Sequence, residues 1–392
     1  MIERYLKNEI QNALTDRMAF ISGARQVGKT TLANRIGEQF FKGRQAYFNW
    51  DSGKDRKAVL SEKFPADAEY VILDEVHKFR KWKNLIKGVF DKNRNRFKII
   101  VTGSARLDIF RKGGDSLLGR YRHFRLHPLS LPELGGGKCA IIPGMKPKFP
   151  PVPAAVSAGF SALLKYGGFP EVFSRKNGAF LRQWHNERKN LLVKEDIRDI
   201  EGIRDLSTLQ VLADMLPGKV GSLLSLNSLR EDLEVAYNTV ADWMEVLERF
   251  YFHYRIYPFH SKLFRALKKE PKLYLWDWSE VPEPAARFEN FIASHLLKFC
   301  DYFYDTQGYR TRLHYLRDRQ QREVDFFVTY EGKPWFAVEV KTGVGKISTP
   351  LRYFTDRLKI PCSFQVTTER GVDYIQNGIR VISADKFLSA LV

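Results

Sequence analysis

Cysteine is scarce: Cys139, Cys300 and Cys362 are the only three. They are far apart and form no CxxC pair, which argues against a zinc knuckle or a disulfide framework and fits a reducing compartment. Long apolar runs are missing too, and MIERYLKNEI is charged from its third residue. The expectation is therefore a cytoplasmic protein with no membrane partner. HExxH, GxGxxG and GxSxG contexts are absent, so metalloprotease, hydride-transfer and serine-hydrolase chemistry find no support. Negative charge is in short supply, with 45 acidic residues against 64 Lys and Arg and a net charge of +19. An excess of that size attracts polyanions, and DNA is the expected partner, with a merely soluble basic surface as the alternative.

What is present is ample material for a core: 44% of the 392 residues are hydrophobic and 14% aromatic. That length suggests two or three packed units. Residues 1–16 read as an amphipathic helix with Ile2, Tyr5, Leu6, Ile10 and Ala13 roughly on one face. Four short apolar runs follow, MAFIS (18–22), AYFNW (46–50), YVILD (70–74) and KIIVTG (98–103). The intervals between them have room for crossover helices, which is the pattern of a parallel α/β sheet. The Gly- and Pro-rich stretch 136–158 has little periodicity and reads as a linker or mobile loop.

Between the first run and a helix beginning KTTLANRIGEQF lies Gly23-Ala24-Arg25-Gln26-Val27-Gly28-Lys29-Thr30, a match to GxxxxGK(S/T). In that setting the glycines let main-chain amides face phosphates and the helix N-terminus adds its dipole. Lys29 is expected on the β- and γ-phosphates of ATP, the Thr30 hydroxyl on Mg²⁺ and Thr31 near the α-phosphate. The run 70–74 ends in Asp74 followed by Glu75. Asp74 suits the Mg²⁺ shell and Glu75 suits polarisation of the attacking water. Thr102 and Ser104 are candidates for sensing the γ-phosphate, although a hydroxyl ending a strand is also ordinary turn chemistry. Arg120 is a candidate for acting on the γ-phosphate, from this chain or a neighbouring subunit; surface or nucleic-acid contact is the competing reading.

Two more groupings carry chemistry. Residues 206–250 read as helices joined near Val235-Ala236-Tyr237, followed by FYFHYRIYPF and KLYLWDW around the basic SKLFRALKKE. That is a helix-turn-helix with a basic wing, whose Asn238, Thr239, Arg249, His253, Arg255, Lys262, Arg265, Lys268 and Lys269 are candidates to meet phosphates. Against that stand Asp242, Glu245 and Glu248 on the second helix. Further on, Glu289 lies in a helical segment, Asp325 in the strand EVDFFVTY, and Glu339 and Lys341 in WFAVEVK. Acid, Asp and ExK on neighbouring strands is the arrangement of the PD-(D/E)xK nuclease fold. There Asp325 and Glu339 would share a second Mg²⁺, Lys341 would orient water and Gln365 would assist. Alternation places Glu339 and Lys341 on one side, and Arg310, Arg312, Arg317, Arg319 and Arg322 form a basic strip nearby. The competing reading is a fold that binds without cutting.

GARQVGKTTL, VILDEVHK, VTGSA, SLLGRYRHFRLHPLS, YGGFPE, EVDFFV and AVEVK together resemble the AAA-like P-loop ATPases that carry the C-terminal domain of unknown function 4143. The resemblance covers nearly the whole chain. It implies an ASCE-type sheet with the Thr102 strand between the strands that end at Ser22 and Asp74, and it supports a winged helix. The expected layout is a P-loop ATPase core at 1–135, a linker at 136–158, a helical lid at 159–204, a winged helix at 205–280 and a nuclease-like α/β domain at 281–392. The expected function is ATP hydrolysis acting on DNA as a switch or motor, in a possible homo-oligomer. The alternative is an ATP-gated regulatory protein whose C-terminal domain binds a protein.

Overall fold

In the computed structural model the described residues are 2–103, 117–136, 139–197, 203, 205–260 and 269–392. The chain divides into two compact units, one of residues 3–127 with 249–251 and one of 1–2, 128–248 and 252–392. Ser104, Lys262, Arg265 and Lys268 lie outside the described residues.

The first unit is a five-stranded, wholly parallel sheet. Its strands are β1 (Met18–Ser22), β2 (Gln45–Asn49), β3 (Tyr70–Asp74), β4 (Lys98–Gly103) and β5 (Tyr121–Arg125), in the order β2-β3-β4-β1-β5. Every residue of β1 and β3 is buried, as expected for central strands covered on both faces. Strand β4 pairs with both β1 and β3, so the Thr102 strand lies where the resemblance puts it. Helix α1 (Lys7–Ala13) is shorter than the expected 1–16 because the chain must turn before β1. Helix α2 (Lys29–Phe40) buries Leu32, Ala33 and Ile36, and α3 (Gly53–Leu60) is capped by Ser52. Trp82, Ile86 and Val89 of α4 (Trp82–Asn93) join Phe20, Val71, Leu73, Ile99 and Val101 in one core.

The second unit opens with helices α5 (Ala154–Tyr166), α6 (Pro170–Arg175) and α7 (Gly178–Leu191). Then come α8 (Leu206–Met215), α9 (Leu226–Leu233) and α10 (Tyr237–Arg249). The turn between α9 and α10 passes through Glu234 at φ +53°, where the sequence puts it. An antiparallel hairpin of β6 (His253–Ile256) and β7 (Lys272–Leu275) follows. The long helix α11 (Pro284–Gln307) leads into a six-stranded sheet. It is built from β8 (Thr311–Arg317), β9 (Glu323–Tyr330), β10 (Lys333–Lys341), β11 (Cys362–Thr367), β12 (Asp373–Gln376) and β13 (Ile379–Ser383), in the order β12-β13-β11-β10-β9-β8. Helices α12 (Thr349–Leu358) and α13 (Ala384–Ser389) complete the unit. Lys298 of α11, almost fully buried, bonds Ser130 at 2.7 Å and Glu133 at 2.5 Å, tying the start of this unit to its longest helix.

The stretch expected to be a linker or mobile loop is instead partly helix and partly a strap. Helix α5 begins at Ala154, and residues 139–153 run along the C-terminal sheet. Ala140 N–H donates to the Ala390 carbonyl at 3.0 Å, and Trp335 Nε1 donates to the Met145 carbonyl at 2.8 Å. The Phe149 ring lies 5.3 Å from Phe364 and 5.8 Å from Phe387. Proline suits such a strap because it stiffens an extended chain with no ladder bonds to make. Among the described residues no helix is long and apolar enough to cross a membrane.

Candidate nucleotide site and C-terminal acid cluster

The loop after β1 has the backbone its glycines permit. Gly28 caps α2 at φ +96°. At Gly23 a side chain would meet the Leu126 carbonyl oxygen at 2.4 Å, so the chain passes there only without a Cβ. Arg25 and Gln26 stand exposed at the crest, while Ala24 and Val27 are buried beneath it. Lys29, itself buried, turns its ammonium back over the loop and donates to the carbonyls of Gly23 and Ala24, each at 2.9 Å. Thr31 is exposed in the first turn of α2.

Asp74 ends β3 beside this loop and is the centre of the site. Thr30 donates to its Oδ2 at 2.9 Å, Tyr47 of β2 donates to the same oxygen at 2.8 Å, and Thr102 of β4 donates to Oδ1. Three hydroxyls from three elements thus hold one carboxylate. Burial, then the bond to Asp74, pushes the Tyr47 phenol well above its ordinary range, keeping it a donor. Glu75 sits at φ +56°, a costly conformation for a residue with a side chain. Its amide donates to the Thr102 carbonyl at 3.0 Å, and its Oε2 lies 3.6 Å from Nε2 of buried His77. One hydroxyl and one carboxylate side by side are oxygen donors of the kind Mg²⁺ takes, with waters and phosphate oxygens completing the shell.

Arg120 does not join this group. It precedes β5, where its carbonyl accepts from Met18 N–H at 2.9 Å, and its guanidinium is paired with Asp91 of α4 at 2.7 Å. The phosphate loop follows the other end of β1, five residues or roughly 16 Å away along the strand. Within this chain the residues brought together are the loop 23–30, Asp74, Glu75 and Thr102. Tyr47 was missed from the sequence, since a tyrosine in a strand carries no motif.

In the second unit Glu289, Asp325, Glu339 and Lys341 do converge, with members the sequence did not suggest. Lys272 of β7, 3% exposed, places Nζ 2.7 Å from Glu323 Oε1, 3.3 Å from Glu289 Oε1 and 3.6 Å from Asp325 Oδ1. Tyr274 donates to Glu289 Oε1 at 2.7 Å. Val340 N–H donates to Asp325 Oδ2 at 2.9 Å, and Lys341 is 2.9 Å from Glu339 Oε1. Burial, and then the charge of Asp325, pushes both Glu289 and Glu339 up to about 7. Burial by itself would lower the Lys272 ammonium, but Glu289, Asp325 and Glu323 outweigh it and raise it. Gln365, fully buried, accepts from Ser348 N–H at 3.0 Å and supports the start of α12.

These residues do not fit the second Mg²⁺ expected on Asp325 and Glu339. An ammonium already stands among the acids, and the described residues contain no group of three or more His, Cys, Asp or Glu arranged to hold a metal ion. Other candidates for nucleic-acid contact are also engaged. His253 is fully buried with Nε2 donating to the Met244 carbonyl at 3.0 Å, and Arg255 is bonded to Glu248 at 2.8 Å. Arg317 pairs with Glu323 and Arg322 with Asp318, both at 2.7 Å. Arg310, Arg312 and Arg319 are exposed.

Residues 15–135 match the family described as AAA domain. Residues 158–280 match a domain of unknown function (DUF8612), and residues 285–387 match a domain of unknown function (DUF4143). An uncharacterized protein of Mycobacterium tuberculosis is 20% identical over 353 residues, covering 86% of this chain and 73% of that protein. One of Haemophilus influenzae is 23% identical over 334 residues, covering 76% and 78%. Among solved structures, the Thermotoga maritima RuvB Holliday junction branch migration motor has a TM-score of 0.34 at 16% identity, covering 65% of this chain and 90% of that one. AMPPCP-bound DnaA from Aquifex aeolicus has 0.31 at 14%, covering 62% and 86%. Structural likeness of that degree carries no argument by itself.

Proposed function

We propose that this chain, an AAA-type P-loop ATPase domain joined to a C-terminal DUF4143 domain, hydrolyses ATP with Mg²⁺ and couples the reaction to DNA. The observation that carries the hydrolytic reading is the triple hold on Asp74. Thr30, Tyr47 and Thr102 bring the phosphate loop and the acidic strand end to hydrogen-bond distance. Amides of 23–28 and the N-terminus of α2 bind the phosphates, and Lys29 bonds the β- and γ-phosphate oxygens. Thr30 and Asp74 would hold Mg²⁺, which when bound neutralises phosphate charge. Glu75, steadied by His77, orients a water and draws off its proton. Attack on the γ-phosphorus then breaks the bond to the bridging oxygen, leaving ADP and phosphate. Thr102, bonded to Asp74, would carry a change at the γ-phosphate to β4.

DNA as the partner rests on the +19 charge and on exposed Arg310, Arg312 and Arg319. The helices α8 to α10 with their hairpin support a winged helix, and the acids on α11, β9 and β10 support a nuclease-like fold. One observation favours a second reading, an ATP-gated protein that binds a protein partner. The outer face of α10 exposes Asp242 and Glu245, while His253 and Arg255 are already engaged. ATP turnover measured alone and with single-stranded, duplex and branched DNA separates the two. Stimulation by any of these supports action on DNA; turnover indifferent to all of them removes it in favour of the protein partner.

A further inference from the structure

A nuclease-like reading of the C-terminal sheet, on which this inference rests, asks for a divalent cation among the acids. The acids already surround a cation of the protein's own. Lys272 enters from β7, inside the span 158–280, whereas Glu289, Glu323 and Asp325 belong to the span 285–387. One domain thus supplies the charge that balances the other's acids. Nζ is 2.7, 3.3 and 3.6 Å from three separate carboxylates, so it stands in the space between them that a divalent ion would need for itself. The remaining oxygens are largely engaged as well. Asp325 Oδ2 takes the Val340 amide, Glu323 Oε2 takes Arg317, and Glu339 Oε1 faces Lys341, while the Glu289 Oε1 that Lys272 meets also takes the Tyr274 hydroxyl. Glu339 Oε2 is buried with no hydrogen bond among the described residues, but a lone oxygen is too little for a hard divalent ion, which gathers six or more.

We propose that Lys272 is the resident cation of this pocket, standing where a divalent ion would bind, so that the C-terminal domain is a metal-independent binding domain and not a metal-dependent phosphodiesterase. A buried ammonium that balances buried carboxylates is costly to remove, because the charges left behind have lost their counter-ion. Removal leaves Glu289, Glu323 and Asp325 as a cluster of hard oxygens around a gap, which a divalent cation fills.

The test is Mn²⁺ binding to the full chain without nucleotide, followed by electron paramagnetic resonance of the free ion. Any ion held at the nucleotide site is recognised by its loss in Thr30→Ala, and any ion in the C-terminal pocket by its loss in Asp325→Asn. Wild type and Lys272→Arg are expected to hold no Mn²⁺ that Asp325→Asn removes. Lys272→Met is expected to gain one, lost again in the double variant with Asp325→Asn. Wild-type Mn²⁺ uptake that disappears in Asp325→Asn overturns the proposal, as does a folded Lys272→Met protein that takes up none. Should Lys272→Met fail to fold, the comparison of wild type with Asp325→Asn decides alone. Failure of the nucleic-acid reading shows elsewhere, as absence of DNA binding by the wild-type chain, and leaves the Mn²⁺ result standing by itself.

Discussion

The roles proposed for Lys29 and Glu75 are separable, and their variants should fail differently. Lys29 is the cation proposed to bond the β- and γ-phosphates, so Lys29→Ala should show no heat on calorimetric titration with ATP and Mg²⁺. In the proposed mechanism Glu75 acts on the water and not on the phosphates, so Glu75→Gln should bind ATP as wild type does while turnover falls by about 100-fold or more. Normal turnover in either variant would break the assignment. The backbone gives Glu75 a second signature: at φ +56° a glycine is less strained than any side chain, so Glu75→Gly should lose turnover without losing stability. Thermal melts beside the activity assay check this.

At the scale of elements, the contact between α10 and its hairpin depends on a neutral imidazole. Burial pushes His253 down to about 4, reinforced by the charge of Arg255 and offset only in part by Glu248 and the bond to the Met244 carbonyl. In the unfolded chain the same ring titrates near 6.5, so between those values only the unfolded state takes up the proton. Stability from this group is therefore fully present above about pH 6.5 and is lost as pH falls toward 4, on the order of 3 kcal/mol in all. Urea unfolding across that window should show a flatter slope in His253→Gln. Part of the slope should remain, since His314 is also pushed down to about 4 by burial and by Arg312. The strap over the C-terminal sheet makes another element-scale expectation. Phe149→Ala removes ring contacts with Phe364 and Phe387 and should cost about 1–2 kcal/mol. Limited proteolysis should then cut within 139–153 faster than in wild type; an unchanged rate would mean the strap is held without that ring.

For the whole molecule the deciding quantity is charge. With +19 overall, duplex binding should weaken steeply with salt, with a slope of log affinity against log salt of roughly −4 or steeper, as for five or so phosphate contacts. Arg310→Ala and Arg312→Ala should each make the slope shallower by about 1 if those exposed side chains meet phosphates. Arg317 and Arg322, already paired with Glu323 and Asp318, should matter less. A slope near zero would assign the charge to solubility alone.

The phosphate loop, the acidic strand end and four of the five strands of the first sheet are legible in the residues because each rests on local rules. Glycines must stand where the backbone curls, a central parallel strand must be apolar throughout, and a lysine and a hydroxyl must follow the loop. β5 escaped notice because YRHFR is a half-exposed edge strand with only Phe124 fully buried, which leaves no apolar run to see. The strap 139–153 looked like a linker because proline and glycine describe a backbone without repeating bonds and say nothing about what that backbone lies on. Arg120 and Lys272 show the same limit at single residues. A cation's role is set by the acids within a few ångströms, and those acids, Asp91 for one and Glu289, Glu323 and Asp325 for the other, are brought there by folding. Sequence alone determined that this protein has a phosphate-loop motif and an acidic strand end to set beside it. Only the tertiary structure decided which charges are already balanced, because electrostatic pairing depends on distance in space and distance along the chain does not measure it.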